Sequence, residues 1–369
     1  MMKKWNILVL NIGSTSSELA YCQNDEIIVK AENSFDTSFL REIKSRDKLV
    51  SFFEKLVMDF LNDNKLNVKE MDAIAVRGMG RFGAYNHGAY LLSHQVAEDV
   101  GGGPIGHVGL YASTIIGDKL SREYNIPAYL YDVVPTDEVP DIACITGIAN
   151  IRRKIASHTL NCRATARAVA EEMGRDHNNS TFIIAHMGGG FCTLVYKDGI
   201  IIETHSAEEG SFTPERSGRI PNNFLVSLYT NPDYSEEDIH RMTKRNVGLF
   251  GHLGTSNCRE VQERILKGDK KAKLVYEAMA YQVSKDISSL SAVVCGKVDA
   301  IILTGGIAHS EMFTGWIKER VGFIASVLVK PGSMEVAALA GGVTRVLNGE
   351  EQVNNYDEVR VRTLFESFE

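Results

Sequence analysis

A short apolar strand that runs into a turn of small residues occurs twice in this chain. The run NIGSTSSELAY begins at Asn11, and HMGGGFCTLVY begins 175 positions later at His186. Three identities in eleven residues are weak support for duplication when taken alone. In both copies, however, the outgoing strand reaches a polar turn, Asn24-Asp25 or Asp198-Gly199, and a third apolar strand follows. Two matching β-hairpins predict that the chain is built from two copies of one unit.

A second pair of segments supports this interpretation. DAIAVRGMG begins at Asp72 and DAIILTGGI at Asp299, and each is a buried type of strand that ends at glycine. Helical patterns lie between the strands, as at residues 49–61 and 274–294. We therefore expect an α/β fold of two domains, residues 1–165 and 166–369, with a mixed sheet in each and a cleft between the glycine turns.

Length and composition fit two globular domains. The chain has 369 residues, of which 44% are hydrophobic and 24% are charged. Its formal net charge of −7 argues against nucleic acid and acidic membrane surfaces as partners. No stretch approaches the roughly 20 apolar residues of a membrane span. The six cysteines show no CxxC spacing, so we expect a cytoplasmic protein with reduced thiols.

Both small-residue turns are suited to holding phosphate. Ser14 and Ser16 supply hydroxyl groups in the first turn, and the glycines at 188–190 leave backbone N–H groups unobstructed in the second. For each turn taken alone, a tight hairpin without a ligand is the alternative. The GxxxxGK[ST] pattern of a Walker P-loop does not occur in the sequence. The run GGGPIG at 101–106 follows no clear strand and is interpreted as a tight or mobile loop.

Longer motifs extend over nearly the whole chain, among them NIGSTSS, DVVPTDE, SHTLN, AHMGGG, FTPERSG, LGTSNCREV and VDAIILTGGIAHSEM. Through them the chain resembles the acetate and butyrate kinase family, and the butyrate kinases in particular. The resemblance implies the duplicated fold shared by acetate kinase, sugar kinases, Hsp70 and actin. It also implies Mg²⁺-dependent, reversible phosphoryl transfer from ATP to butyrate or a branched short-chain acid, which gives an acyl phosphate. A homo-oligomer, at least a dimer built through the second half, is expected on the same basis.

The resemblance assigns catalytic and metal-binding roles to five residues. Arg77 and Arg216 match the family's two catalytic arginines, and His158 matches a histidine that donates to the phosphoryl group in flight. Asp132 and Glu335 match acidic residues near the metal, and Asp132 is also counted as catalytic. The transferring group carries charge on three equatorial oxygens, which planar guanidinium groups can bind in pairs. The alternatives are a structural ion pair for Arg77, a solvated loop position for Arg216 and a capping or core position for His158.

On the nucleotide side the resemblance implies a larger set of binding residues. The residues expected to contact phosphate or adenosine are Asn11, Ser14, Ser16, His186, Gly188, Gly189, Gly190, Asn257, Arg259, Gly305, Gly306 and Ile307. A glycine pair at the end of a strand lets a ring approach the backbone closely. At Gly305 and Gly306 a helix-start turn without a ligand is the alternative.

Several positions depart from the family pattern. Ile12 and Glu18 stand where proline and lysine are usual, and the stretch 101–109 reads GGGPIGHVG in place of a loop with His-Ala-Ser-Asn. The run Ser256–Arg259 has also lost a carboxylate. Along a strand Ser14, Ser16 and Glu18 share one face, so Glu18 is predicted to point an acid towards the phosphates unless a nearby arginine pairs with it.

The effect of the Glu18 charge on phosphoryl transfer distinguishes between possible functions of the chain. Two unit charges about 4 Å apart interact by roughly 4 kcal/mol at an effective dielectric near 20, which is enough to slow transfer by orders of magnitude. Three hypotheses follow. They are an active carboxylate kinase, a nucleotide-binding relative with lost or altered chemistry, and a kinase for another acceptor with a pocket reshaped by the 101–109 loop.

Overall fold

The structure is a computed structural model that describes residues 3–13, 16–35, 45–78, 85–101, 108–134, 136–206, 208–359 and 362. Ser14 and most of the GGGPIGHVG run, residues 102–107, therefore lie outside the described residues. The predictions made for them are not addressed by the structure.

The strands form two mixed sheets. The first contains β1 (Asn6–Ile12), β2 (Ser16–Gln23), β3 (Glu26–Ser34), β4 (Ala73–Val76), β5 (Ala89–Leu91), β6 (Ala128–Tyr131) and, from the end of the chain, β12 (Val353–Asn354). The second contains β7 (Thr181–Met187), β8 (Phe191–Lys197), β9 (Ile200–His205), β10 (Ala300–Gly305) and β11 (Val327–Pro331).

The helices surround these sheets. They are α1 (Arg46–Asp63), α2 (His94–Gly101), α3 (Val108–Tyr124), α4 (Asp141–Cys144), α5 (Thr159–Glu172), α6 (Asn222–Tyr229), α7 (Glu236–His240), α8 (Gly248–Leu253), α9 (Cys258–Leu266), α10 (Lys270–Ser291), α11 (Glu311–Val321) and α12 (Glu335–Leu347). The helices expected near residues 49–61 and 274–294 correspond to α1 and α10. Among the helices in the described ranges, none is long and apolar enough to cross a membrane. All six cysteines are free.

The two sheets repeat one strand order, which confirms the duplicated fold. Strands β3, β2, β1, β4 and β6 lie side by side in the first sheet, and β9, β8, β7, β10 and β11 do so in the second. In each sheet the first three strands are antiparallel and the next two run parallel to the third. Each hairpin leading to the outer strand turns at a residue with positive φ, Asn24 at 57° and Asp198 at 50°.

Both faces of the central strands are buried, which explains their continuous apolar runs. Leu8 and Leu10 of β1 share a core with α1 and α3, while Ile7 and Val9 face α12 on the other side. In the second sheet, the equivalent strand β7 directs Ile183 towards α10 and α11. Its neighbour Ile184 packs on the opposite face with α5.

The last helix of each half packs against the sheet of the other half. Helix α5 follows β6 of the first sheet, yet Ala166 and Val169 lie in a core cluster with the second sheet. Helix α12 follows β11 of the second sheet, yet Leu339 and Val343 complete the core of the first. The proposed division at residue 165 thus falls within α5, and the chain from α12 onward returns to the first sheet.

Helix α12 approaches the first sheet so closely at Gly342 that a side chain has no room there. A Cβ atom on Gly342 would lie 2.5 Å from ring carbons of Tyr131, whereas one on Gly341 would lie 3.4 Å from the nearest atom, in Asp25. The Tyr131 ring cannot easily withdraw, because its hydroxyl group bonds Arg345 at 2.5 Å and Glu351 at 2.8 Å.

We therefore expect opposite effects of alanine at these neighbouring glycines. Overpacking of about 1–3 kcal/mol should outweigh the roughly 1 kcal/mol gained in helix propensity, so Gly342→Ala should lower the free energy of unfolding. Gly341→Ala, the matched control, should leave the stability unchanged or raise it. Urea unfolding followed by circular dichroism measures both, and equal effects of the two substitutions would contradict the packing explanation.

Candidate active site

Arg77, Asn11 and Glu335 form a cluster of direct contacts at the edge of the first sheet. Arg77 follows β4, and Asn11 lies near the end of the adjacent parallel strand β1. Arg77 Nη1 lies 2.9 Å from Glu335 Oε2 and 3.2 Å from Asn11 Oδ1. Asn11 Nδ2 also donates to Glu335 Oε2 at 3.1 Å. Because Glu335 is the first residue of α12, the helix N-terminus favours its negative charge.

Glu18 joins this cluster with its charge already paired, by a lysine and not by an arginine. It lies opposite Asn11 in the β1–β2 pair and accepts a hydrogen bond from Asn11 Nδ2 at 2.7 Å. Lys30 reaches it from β3, and Lys30 Nζ lies 2.9 Å from Glu18 Oε1. Burial opposes the charge of Lys30, but hydrogen bonds to Glu32 and Glu18 raise its pKa above the ordinary value. Lys30 is therefore shared between the Glu18 and Glu32 carboxylates.

His158 and His186 stack on each other where the two halves meet. Their ring centroids are 4.1 Å apart, with the rings inclined by 14°. His158 precedes the first residue of α5, and its Nδ1 lies 3.3 Å from Cys192 Sγ. His186 lies near the end of β7, with its Nδ1 2.8 Å from Asn161 Nδ2. Asn161 Oδ1 accepts from Met334 N at 2.8 Å, which ties the histidine pair to the residue before Glu335.

The pKa values of the two stacked imidazoles are shifted in opposite directions. Burial opposes the charged form of His158, but the negative charge on Cys192 raises the pKa of His158 above the usual histidine value. The pKa of Cys192 is itself lowered, first by a hydrogen bond from Cys162. Burial, His158 and Arg77 together lower the pKa of His186 well below its usual value. Of the two rings, His158 is therefore the one that more readily carries a second proton.

The glycine turn of the second sheet is fastened to the loop that carries Arg216. Thr213 Oγ1 donates to the Gly189 carbonyl oxygen at 2.7 Å, and Gly188 N donates to Gly190 O at 3.2 Å. Further along the loop, Arg219 Nη2 lies 2.5 Å from the buried Asp286 on α10. The Arg216 side chain is exposed, and the one hydrogen bond it shows in the described structure goes to the Glu215 carbonyl at 2.9 Å. The loop thus lies at the site, while the guanidinium group points to solvent.

The expected nucleotide residues occupy the end of β10 and the start of α9. Gly305 has a φ of 88°, and a Cβ there would lie 2.5 Å from Met187 O, so the backbone of β7 excludes a side chain. A Cβ on Gly306 would meet no described atom within 4 Å, which leaves this turn open to a ligand. Ile307 is buried in the adjacent core. Asn257 caps α9 by accepting from Arg259 N at 3.0 Å, and Arg259 itself is exposed.

Asp132 is engaged away from the Arg77 cluster. Its buried carboxylate lies 3.2 Å from Arg163 Nε and accepts from Gly88 N at 2.8 Å. Ser16, at the start of β2, is exposed, and its carbonyl oxygen accepts from Gly13 N at 2.8 Å. Across the described ranges, no group of three or more His, Cys, Asp or Glu side chains could hold a metal ion. Mg²⁺ is commonly bound by one or two carboxylates and substrate phosphates, a role that Glu335 fits better than Asp132.

Three residues of the site were missed from the sequence. Asn161 follows His158 by three positions at the start of α5, a spacing that places both on one helix face. Cys192 lies directly opposite His186 in the β7–β8 pair, so the predicted hairpin register could have found it. Lys30 gave no comparable signal, because its contact with Glu18 is diagonal across the β2–β3 pair.

Comparison with known proteins identifies relatives of this chain. A model of the Acetokinase family matches residues 146–319. Butyrate kinase 2 of Clostridium acetobutylicum is 37% identical over 355 residues, which cover 96% of this chain and 99% of that protein. A probable butyrate kinase 2 of Caldanaerobacter subterraneus subsp. tengcongensis is 38% identical over 353 residues, or 95% and 99% of the two chains.

A solved structure shows the same fold. The acetate kinase of Porphyromonas gingivalis superposes with a TM-score of 0.75 at 17% identity, and the match covers 93% of this chain and 100% of that one. The sequence identity to the two butyrate kinases extends over nearly the full length of all three proteins. This chain therefore belongs to the acetokinase family, together with those butyrate kinases.

Proposed function

We propose that this protein transfers the γ-phosphoryl group of ATP to butyrate or a branched short-chain acid, in a reversible reaction that gives ADP and an acyl phosphate. The observation that carries the proposal is the contact of Arg77, Asn11 and Glu335, with His158 near enough to interact electrostatically with Arg77 and Glu335. The full-length similarity to butyrate kinases adds the class of acceptor.

Each residue of the site has its own role in an in-line phosphoryl transfer. A carboxylate acceptor is ionised at neutral pH and needs no general base, so catalysis consists of positioning and charge neutralisation. Arg77 holds the acceptor or the transferring group with its planar fork, and His158 donates a hydrogen bond to an equatorial oxygen. The exposed Arg216 closes onto the phosphates from the loop bound to Gly189. The N-termini of α5 and α12 add partial positive charge on the same side.

The nucleotide is expected to bind along the second sheet as its Mg²⁺ complex. Gly188–Gly190 receive the phosphates, and Gly306 leaves room for the adenosine. Glu335 would hold Mg²⁺ together with phosphate oxygens and water, and the ion would offset the phosphate charge. The dimer expected through the second half stays a prediction. That half exposes Phe224, Val226 and Leu274, apolar side chains of the kind that subunit contacts cover.

The structure weakens the case for lost chemistry. That hypothesis rested on Glu18 and on the altered 101–109 loop, and Lys30 lies 2.9 Å from the Glu18 carboxylate. The full-length similarity to butyrate kinases does not favour a kinase for a different acceptor either. One methylene is worth only about 1–3 kcal/mol in a binding pocket, so chain length must be measured.

The activity can be tested by trapping the acyl phosphate with hydroxylamine. With ATP and Mg²⁺, we expect more acyl hydroxamate from butyrate and isobutyrate than from acetate or propionate. Arg77→Gln should lower kcat by about 10²–10³-fold, as removal of a transition-state donor does. Arg241→Gln, which changes an arginine paired with Asp238 on the surface, is the control and should keep full activity. Absence of hydroxamate from every acid at saturating ATP would refute the proposal.

The Glu18–Lys30 pair predicts that a second substitution restores the activity lost through the first. Lys30→Gln should lower kcat about tenfold, because the charge of Glu18 then faces the phosphates without its partner. Adding Glu18→Gln to that variant should restore most of the loss. Steady-state kinetics of the two single variants and the double variant measure the coupling. Strictly additive effects would show that Glu18 and Lys30 act independently.

The contact of His158 with Cys192 predicts a shift in the pH profile. Activity that needs protonated His158 is lost as the pH rises through the pKa of this residue. Cys192→Ala removes the negative neighbour that raises this pKa, so the basic limb of kcat/KM should move to lower pH. Cys144→Ala, which changes a buried thiol in a separate small cluster, is the control. An unchanged limb in Cys192→Ala would exclude His158 as the titrating donor.

A further inference from the structure

Asp286 is a buried carboxylate on the long helix α10, next to the loop that carries Arg216. Its side chain is only 1% exposed. A charge in such a place is costly unless it is paired and hydrogen-bonded, so the partners of Asp286 indicate what the residue does. Those partners lie at both ends of the Arg216 loop, which comprises residues 211–219.

The two ends of this loop bind the same carboxylate group. At the start of the loop, Ser211 N donates to Asp286 Oδ2 at 2.7 Å. At its end, Arg219 Nη2 lies 2.5 Å from Asp286 Oδ1. The backbone closes the same gap, because Arg219 N donates to Gly210 O at 3.0 Å. Asp286 therefore fastens the base of the loop to α10.

Further contacts hold the loop on both sides. Gln282, one turn earlier on α10, accepts from Phe212 N at 3.1 Å through Oε1. From α8, Leu249 N donates to the Thr213 carbonyl oxygen at 3.2 Å. Gly218 has a φ of 65°, and a Cβ there would lie 2.4 Å from Phe212 N, so the two strands of the loop base are in close contact. The backbone of the loop is thus packed against two helices.

The tip of the loop is connected to the glycine turn of the second sheet. Thr213 Oγ1 donates to Gly189 O at 2.7 Å, and Thr213 N donates to Arg216 O at 3.0 Å. The backbone at Arg216 is therefore tied to the turn expected to receive the phosphates, while the Arg216 side chain is exposed. Where that side chain can reach depends on how the base of the loop is held.

We propose that Asp286 is a positioning residue, which holds the 211–219 loop so that Arg216 can reach the transferring phosphoryl group. This inference rests on the kinase activity proposed above. Asp286 acts through Arg216 and takes no part in the chemistry itself. Displacement of a positioned group by about 1 Å can lower a rate about 10²-fold, so a contact at the base of the loop can control the rate at its tip.

A purely structural role is the alternative, because Asp286 also contacts the second sheet. His205 Nδ1, at the end of β9, lies 3.4 Å from Asp286 Oδ1. Asp286→Asn separates the two roles, since it keeps the size of the side chain and an oxygen that accepts from Ser211 N. It removes the charge that pairs with Arg219. The Arg219 side chain is 49% exposed, so water can solvate the released guanidinium group.

Steady-state kinetics with ATP, Mg²⁺ and butyrate tests the proposal. Asp286→Asn should lower kcat at least about tenfold and change the KM for ATP less than about threefold, as for a contact made mainly in the transition state. Arg219→Gln removes the same ion pair from its exposed side and should reproduce this loss; it also serves if Asp286→Asn fails to fold. Asp238→Asn, which breaks an Asp–Arg pair of equal length, 2.5 Å, on the surface, is the matched control.

A double variant distinguishes positioning from a general loss of structure. If Asp286 acts through Arg216, adding Asp286→Asn to Arg216→Gln should lower kcat no further. A structural defect would instead multiply the two losses. Multiplied losses, or an unchanged kcat in whichever of Asp286→Asn and Arg219→Gln is folded, would overturn the proposal.

Limited proteolysis gives a measurement that does not depend on turnover. Trypsin cleaves after Arg216 when the loop opens, and mass spectrometry identifies that cut. We expect cleavage there to be at least about tenfold faster in Asp286→Asn and Arg219→Gln than in the unchanged protein or Asp238→Asn. Equal rates would overturn the role of Asp286 even in an active kinase. Faster cleavage without acyl hydroxamate from the unchanged protein would refute the proposed function while supporting the loop anchor.

Discussion

The ion pair between Arg77 and Glu335 connects the end of a strand in the first sheet to the start of a helix near the end of the chain. Glu335 is only 7% exposed, so removal of its partner would leave a buried carboxylate uncompensated. Asn11 is oriented by both residues, Glu18 by Asn11, and Lys30 by Glu18. On the other side, Met334 N fixes Asn161, and Asn161 fixes His186. One polar network therefore positions groups from both sheets.

Much of the fold could be predicted because the relevant signals are local. Alternation, turn residues and apolar runs identified β1 to β3, β7 to β9, α1 and α10. The exchange of α5 and α12 between the halves had no such signal. An apolar face such as that of Leu339 and Val343 shows that a helix is buried, but not which of two similar sheets it covers.

For the site, the sequence resemblance proposed residues but could not give their contacts. Arg77 contacts both Asn11 and Glu335 in the structure. Asp132 faces Arg163, and Arg216 points to solvent, which the motifs that contain them could not reveal. Glu18 is the clearest case, since the sign of its effect depends on Lys30, a residue twelve positions away on another strand. Which charged side chains meet depends on the register between strands, and a single sequence does not give that register directly.

The return of α12 to the first sheet reverses the order in which the two halves can complete their hydrophobic cores during translation. Ile7 and Val9 lie in the same core cluster as Val336 and Leu339, so this face of the first sheet stays uncovered until the last helix has left the ribosome. The second sheet receives α5 from earlier in the chain, and its strands are complete at Pro331. The half that is synthesised last therefore closes its core first, although domains usually fold from the N-terminus onward. During that interval the face of the first sheet that carries Ile7 and Val9 has no helix α12 to cover it.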